Sequence, residues 1–390
     1  MQSLNPFRPR YDAVIVGARC AGAATAFLLA RAGAKVLLVD RQAYGSDTMS
    51  THALMRAGVL QLHRWGLLPT VVAEETPEIR CTTFHYGQEK LRLSIKAEHG
   101  VSYLCAPRRT VLDRVLVDAA RRAGADVRHG AILTDVDFDP GGQVVGVRLK
   151  EVGTREYAVR CTIVIGADGR QSTIAKLVNA DIYAESVSSS ASVFGYFENL
   201  DREGSHWHFA ENVAAGVIPT NYGQHCVFAS VPAEAFASTF KNNVEAGFFR
   251  ILEANSPHLR EDVGRAHLVG RFRGFAGARG YLRQSHGPGW ALVGDAGYFK
   301  DPATAHGITD ALRDAELLAN AVLDGRSAAL AAYQEERDDL SRPLFDATAA
   351  IASFRWNLDE VKLLHMQLSA AMRAEADRVA SLSAPATLAA

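Results

Sequence analysis

The sequence has no excess charge of either sign. Its 42 Lys and Arg face 43 Asp and Glu, a formal net charge of -1. That balance excludes bulk attraction to nucleic acid or to an anionic membrane surface. Cysteine is sparse. Cys20, Cys81, Cys105, Cys161 and Cys226 are scattered, odd in number and without a C-x-x-C pair. This excludes a disulfide framework and points to reduced thiols and a cytoplasmic setting. It also gives no ground for a metal site. Long apolar runs are lacking: charges such as Arg31 and Lys35 break the longest stretches, so no segment is expected to span a bilayer. Residues 1–10 have no apolar core of a signal peptide. Internal repeats are absent. What remains is a chain of 390 residues, 48% hydrophobic, long enough for two domains or one large domain with an insertion.

The most informative stretch is Tyr11 to Arg41. Ala13-Val14-Ile15-Val16 reads as a buried parallel strand that stops at Gly17. A turn of small residues follows, Gly17-Ala18-Arg19-Cys20-Ala21-Gly22, and then a helix with Ala24, Phe27 and Leu28 at helical spacing. Val36-Leu37-Leu38-Val39 is a second buried strand, ending at Asp40 and Arg41. Strand, glycine turn, helix and strand with an acid at its tip suit a dinucleotide. Gly17 permits the tight turn and Gly22 the close packing of helix on strand. The helix N-terminus offers free N–H groups to a pyrophosphate, and Asp40, about 20 residues on, can accept ribose hydroxyls. The middle glycine of the motif is missing. Arg19 stands there, and must either turn away or contact the phosphate itself.

Further along, Ser50-Thr51-His52 precedes a helical pattern that includes Leu54, Val59, Leu62 and Trp65, so these polar residues either cap a helix or face a ligand. Arg80 to Ile95 reads as a hairpin around Gly87. Arg109 to Asp113 opens a strong helix ended by Gly124. Val136 to Val159 reads as a meander, and Cys161 to Ile165 as another buried strand, ending in Gly166-Ala167-Asp168-Gly169. An acid and glycines beyond the C-terminal end of such a strand lie where α/β sheets bind ligands. From about Asp181 to Gly280 the texture becomes β-rich and aromatic. His206 and His208 there share one strand face, but the sequence offers no third ligand at suitable spacing. Trp290 to Val293 is the next buried strand, delivering Gly294-Asp295. The loop after it holds Lys300, Asp301, Pro302 and His306, and Gly307-Ile308 opens a helix. Beyond Gly325 the chain reads as helical, in segments Leu330–Leu340, Leu344–Phe354 and Leu358 to about Val379, with a frayed tail from Ser381. The charged runs Glu335–Asp339 and Arg121-Arg122 read as solvated helix faces.

Taken together and in order, the glycine turn ending at Asp40, the Gly166-Ala167-Asp168-Gly169 stretch, and Gly294-Asp295 with Pro302 and Gly307 resemble the flavoprotein monooxygenases of the para-hydroxybenzoate hydroxylase fold. Flavin-dependent halogenases and geranylgeranyl-reductase-like enzymes share that superfamily. The resemblance covers roughly residues 11–330. It implies an α/β fold: a Rossmann-like FAD-binding domain with an inserted β-rich substrate domain and C-terminal helices. The division it implies is 1–80, 99–180 and 281–328 for FAD binding, 81–98 for a substrate-domain hairpin, 181–280 for the β-rich substrate domain and 329–390 for the C-terminal helices.

By the same resemblance, Gly17, Arg19, Cys20, Ala21 and Gly22 would take the FAD pyrophosphate with Arg109 nearby, and Asp40 with Arg41 the adenosine ribose. Asp168 and Gly169 would lie beside FAD and a visiting NAD(P)H, Asp295 would hold the ribityl chain, and Pro302, Gly307 and Ile308 would lie at the flavin ring edge. A helix N-terminus there makes independent sense, because reduced flavin carries negative charge that the helix dipole favours by a few tenths of a kcal/mol up to ~2 kcal/mol.

The implied activity is NAD(P)H- and O2-dependent oxygenation, through a flavin C4a-hydroperoxide, of a small hydrophobic or aromatic substrate. His52, Lys300, Asp301 and His306 are the candidates for acid–base work; the alternatives are a surface ion pair for Lys300 and Asp301, and for His306 a residue that merely precedes the helix. Two other reactions stay open on this fold: C=C reduction, and oxygenation or halogenation by a two-component enzyme fed reduced flavin by a separate reductase. The tryptophan-halogenase W-x-W-x-I-P signature is matched only by Ala214-Ala215-Gly216-Val217-Ile218-Pro219, which lacks both tryptophans. The amphipathic C-terminal helices suit either a cover for the flavin domain or a homodimer surface.

Overall fold

The computed structural model describes residues 11–50 and 52–382. The readings placed on residues 1–10, on Thr51 and on residues 383–390 fall outside them. Tyr11–Val16 lies inside an eight-stranded sheet. Its path runs Asp126–His129, Val36–Asp40, Tyr11–Val16, Tyr157–Gly166, Trp290–Leu292, His286–Gly287. The first five of these strands pair in parallel. Parallel strands need cover on both faces, and the side chains divide accordingly. Ala13, Ile15 and Leu38 pack against the helices Cys20–Arg31, Arg109–Arg122 and Gly307–Asp324. Val14, Val16, Leu37 and Val39 pack beneath an antiparallel flap, Ala131–Phe138 and Val144–Glu151.

A seven-stranded sheet forms the second body. Its order is His267–Phe275, Ser190–Glu198, His225–Pro232, Val213–Pro219, Ser205–Ala210, Cys81–Tyr86, Glu89–Ser94. The early hairpin therefore extends the β-rich region. The joint is the parallel pair Cys81–Tyr86 and Ser205–Ala210; the other neighbours are antiparallel. Alternation gives this sheet two faces. Phe194, Tyr196, Trp207, Phe209 and Phe228 face inward toward the C-terminal segment. Val193, Phe197, Val217, Val227 and Ala229 face a helical layer, Val244–Asn255 and Pro257–Arg265.

Two long helices finish the described chain. Ala329–Ala352 is continuous and carries Pro343 inside it, where the sequence pattern reads as two segments. Leu358–Ser381 starts at a capping box in which Asn357 and Glu360 exchange hydrogen bonds. Arg337, placed by sequence on a solvated face, is instead fully buried and bonds Ser285 Oγ and Asp338. Among the described residues, no helix is long and apolar enough to cross a membrane.

Candidate flavin and substrate site

The glycine turn is built as its motif requires. Gly17 has φ +108°, and a Cβ on it would stand 2.3 Å from the Ala167 carbonyl oxygen. A Cβ on Gly22 would meet the Gly17 oxygen at 1.8 Å. The helix Cys20–Arg31 begins with no side-chain cap, so its first N–H groups stay available to a ligand. Asp40, at the tip of the neighbouring strand, accepts the Ala18 N–H on Oδ2 and the Gln42 N–H on Oδ1, both at 2.7 Å. Each carboxylate oxygen keeps a lone pair for a further hydroxyl donor.

Arg19 turns its guanidinium to the Ser46 carbonyl and to Asp113, the latter at 2.9 Å. It therefore pins the loop after Asp40 to a cleft that Ala18, Arg19, Asp40, Ser46, Asp113 and His129 help to line. Asp113 also accepts from Arg109 at 3.0 Å and from the Cys20 thiol at 3.2 Å. Burial pushes the Cys20 thiol up, out of thiolate range. Arg41 is exposed at the strand end.

Beyond the sheet, Asp168 accepts Ser172 Oγ at 2.5 Å and the Thr173 N–H at 2.6 Å, which ties the turn through Gly169 (φ +78°) to the next short helix. Gly294 packs so closely that an added Cβ would stand 2.8 Å from Ala21 Cβ. Burial pushes the Asp295 carboxyl up to about 6, against the pull of the Arg109 charge. Gly307 opens the helix Gly307–Asp324, which has no side-chain cap, and among the described residues nothing lies within 4 Å of where its Cβ would be. Ile308 follows, buried. An uncapped helix start before clear space is where a ligand edge can meet backbone N–H groups.

The acid–base candidates are held by other parts of the protein. Lys300 is no surface residue: it pairs in the interior with Asp310, and burial lowers its pKa. Asp301 is not its partner. Asp301 accepts the Ser190 N–H at 2.7 Å, Ser190 Oγ at 2.5 Å and the Ala303 N–H at 2.9 Å, closing the turn at Pro302; burial raises it to about 6. His306 does more than precede the helix, since its Nε2 bonds Glu375 on the last helix at 2.6 Å. The helix that follows Ser50 starts at Arg56 with Met55 as its cap residue, so the capping reading fails; Ser50 Oγ accepts the His52 N–H instead.

His52 is buried, with left-handed φ of +65°. Its Nε2 bonds the Tyr196 hydroxyl, and Nδ1 has no partner among the described residues. The Arg108 guanidinium carbon lies 3.4 Å from the centre of the Tyr196 ring. Burial, with Arg108 and Arg109 adding to it, lowers His52 well below the usual histidine range.

The aromatic β-rich region read from the sequence supplies one wall of an apolar pocket, and the other wall comes from a part of the chain the sequence did not connect to it. Trp207, Phe209, Ala214 and Phe228 line one wall, from the seven-stranded sheet. Phe354 and Trp356, from the link between the last two helices, form the other, and Ala303 joins them just before the Gly307 helix. The absent tryptophans of the halogenase signature have a physical counterpart here. Ala214 lines the pocket, and the Phe228 ring lies 2.3 Å from where a Cβ on Gly216 would stand, so no indole fits there. Aromatic density at 193–209 hinted at this wall, while nothing in the spacing linked it to residues 354 and 356.

Comparison with known proteins agrees with the cradle. Digeranylgeranylglycerophospholipid reductase 1 of Methanococcoides burtonii is 25% identical over 321 residues, 81% of this chain and 74% of that protein. Among solved structures, the flavin-dependent brominase Bmp2, as a triple mutant, superposes with a TM-score of 0.81 at 18% identity, covering 96% of this chain and 97% of that one. PqsL, a probable FAD-dependent monooxygenase from Pseudomonas aeruginosa, gives 0.79 at 21%, covering 92% and 100%. At these identities the structures speak to fold alone. The family described as FAD binding domain matches residues 10–348. The glycine cradle, the Asp40 carboxylate and the clear helix start at Gly307 fit that cofactor, and the chain belongs to the FAD binding domain family as a flavoprotein oxidoreductase.

Proposed function

We propose that the protein is a monooxygenase that uses FAD, NAD(P)H and O2 to oxygenate a flat, apolar or aromatic small molecule. The observation that carries this is the chemistry of the pocket wall. Trp207, Phe209, Phe228, Phe354 and Trp356 present rings and Ala214 a methyl group, and the one hydroxyl among the described lining residues, on Ser230, is already shared with Ser192 at 2.6 Å. Saturating a C=C bond needs a proton as well as a hydride, and this wall carries no group of suitable acidity. Oxygen transfer from the cofactor side asks only that the substrate be positioned and water kept out.

When bound, FAD supplies the electron transfer and O2 activation. The chain's own residues do the rest. The Gly17–Gly22 turn and Arg109 bind the pyrophosphate, Asp40 orients the adenosine ribose and Asp295 the ribityl chain. The N–H groups of Gly307 and Ile308 favour negative charge at the flavin ring edge. His52, kept neutral, bonds Tyr196 and with it orders the inner face of the substrate sheet. Lys300, Asp301 and His306 act as positioning residues, since their side chains are engaged within the protein.

The similarity to digeranylgeranylglycerophospholipid reductase 1 favours a second reading, C=C reduction, and one experiment separates the two. FAD-loaded protein is incubated with NADH or NADPH and a panel of phenols, indoles and polyenes under labelled oxygen. Ligand-stimulated NAD(P)H oxidation with labelled oxygen in the product supports the proposal. Anaerobic saturation of an alkene without label overturns it. Failure of both nicotinamides to reduce the flavin overturns the single-component form and calls for a partner reductase.

A further inference from the structure

The seven-stranded sheet carries a group of side chains that the flavin chemistry does not use. His206 and His208 lie on Ser205–Ala210, with Trp207 and Phe209 between and beyond them turned to the pocket. The histidines therefore face the opposite side. The neighbouring parallel strand sets His85 directly across from His208 and Thr83 across from His206. The His85 and His208 rings stack with centroids 3.9 Å apart and planes 4° from parallel. His85 Nε2 lies 3.2 Å from His206 Nδ1, and one nitrogen from each of the three rings falls within 4.8 Å of the others. Pairing across a register 121 residues apart supplies the third ligand that the sequence alone did not offer.

Two further features point to a ligand. His208 is 3% exposed, yet neither of its ring nitrogens has a hydrogen-bond partner among the described residues. A buried polar group in that state costs about 1–3 kcal/mol, and such groups are rare without a ligand or water. His206 Nε2 lies 3.1 Å from the Glu203 carbonyl, which can only accept. That bond places the proton on Nε2 and leaves the Nδ1 lone pair pointing toward His85, the outer-partner arrangement of metal-bound histidines. We propose that His85, His206 and His208 form a three-imidazole site for a divalent transition-metal ion of the zinc type.

The 3.2 Å between His85 Nε2 and His206 Nδ1 suits it, and the His208 ring, now stacked on His85, would turn to bring a nitrogen onto the ion. Two nitrogens on one tetrahedral zinc, each at about 2.0–2.1 Å, lie roughly 3.3 Å apart. Three neutral imidazoles with one open position suit zinc, and suit copper or nickel as well. His85 is half-buried, which leaves room on its side for a fourth ligand from solvent. Lys90 and Arg202 are charged side chains that face the three rings. The Arg202 charge is itself paired with Asp262. A bound ion would clasp the early hairpin to the substrate sheet, on strands whose other faces carry Trp207 and Phe209 of the pocket.

The test uses full-length, FAD-loaded protein without a histidine tag, stripped by a chelator. Zn2+ is titrated calorimetrically and counted per chain by elemental analysis after gel filtration. One tightly held ion per chain is expected. His85→Gln and His208→Ala should each weaken it about a hundredfold or more, a larger loss than an outer partner gives, while His267→Ala, at an exposed histidine elsewhere on the sheet, should not. If His208→Ala fails to fold, judged by FAD content and circular dichroism, the half-buried His85→Gln carries the test alone. No stoichiometric ion in the parent protein overturns the site. So does binding that survives His85→Gln and disappears in Glu375→Gln, which would move the ion to His306, Asp310 and Glu375.

Discussion

Glu375 Oε2 lies 2.6 Å from His306 Nε2, and solvent reaches neither side chain. The same carboxylate accepts from Arg313 at 2.7 Å, and Arg313 in turn holds Asp310, the partner of Lys300. The last helix thus reaches through a buried charge network to the start of the helix Gly307–Asp324. Removing one member leaves the others uncompensated. Glu375→Gln is expected to cost about 3–5 kcal/mol in urea unfolding. Burial opposes ionisation of Glu375, but His306 and Arg313 outweigh it and hold the carboxyl down to about 2. A folded-state value below the unfolded one, about 4.3, means stability that is present above that value and lost as pH falls toward 2. The difference between parent and variant should therefore shrink between about pH 5 and pH 2. A pH-independent difference would show that charge is not what the network contributes.

Asp40 offers a direct test of the cofactor cradle. Its two oxygens already take backbone N–H groups, so Asp40→Asn keeps one acceptor while Asp40→Ala keeps none. Losing charge-assisted hydrogen bonds costs about 1.5–3 kcal/mol, roughly ten- to hundredfold in FAD affinity. The ratio of flavin to protein absorbance after gel filtration should fall from parent to Asn to Ala. Undiminished FAD in Asp40→Ala would remove Asp40 from the site.

The cradle could be read from sequence because its parts are local. A buried strand, a turn that needs glycine and a helix start all lie within Tyr11–Arg41, and their periodicity survives folding. Long-range partners leave no such trace. Lys300 precedes Asp301, yet its charge goes to Asp310, one helix start away, because the turn at Pro302 sends the Asp301 carboxylate to Ser190. Arg337 sits in a run of charges that pattern alone assigns to solvent, and the neighbouring Ser285 and Asp338 take it inward. His85 is invisible as a companion of His208 until parallel pairing sets the two strands in register. Phe354 and Trp356 close a pocket whose other wall lies over 100 residues earlier.

The pocket assignment predicts a separation of effects. Ala214→Trp places an indole among Trp207, Phe209 and Phe228, where only a methyl group now stands. FAD content should match the parent, while the KM for an accepted aromatic substrate should rise at least about tenfold, since one filled ring site is worth a few kcal/mol of binding. Gly216→Ala should instead act on stability, because its new methyl group meets the Phe228 ring; overpacking of this kind costs about 1–3 kcal/mol. An unchanged KM in Ala214→Trp would place the substrate elsewhere.

His52 links the pocket sheet to acid sensitivity. Its ring is buried, bonded to Tyr196 through Nε2, and held well below the usual histidine range by burial first and then by Arg108 and Arg109. In the unfolded chain it takes a proton below about pH 6.5, while in the folded protein it stays neutral. The unfolded state then binds the extra proton, so stability falls with pH by about 1.4 kcal/mol per unit below that point. Among residues that keep a polar side chain, Asn tolerates the left-handed backbone at this position well, which makes His52→Asn the informative variant. Urea unfolding at pH 8 and pH 5.5 should show the parent losing about 1.4 kcal/mol more than the variant. The other buried histidines are common to both proteins and cancel in that comparison. Equal losses would mean that His52 accepts a proton in the folded state, and that its bond to Tyr196 runs through a charged ring.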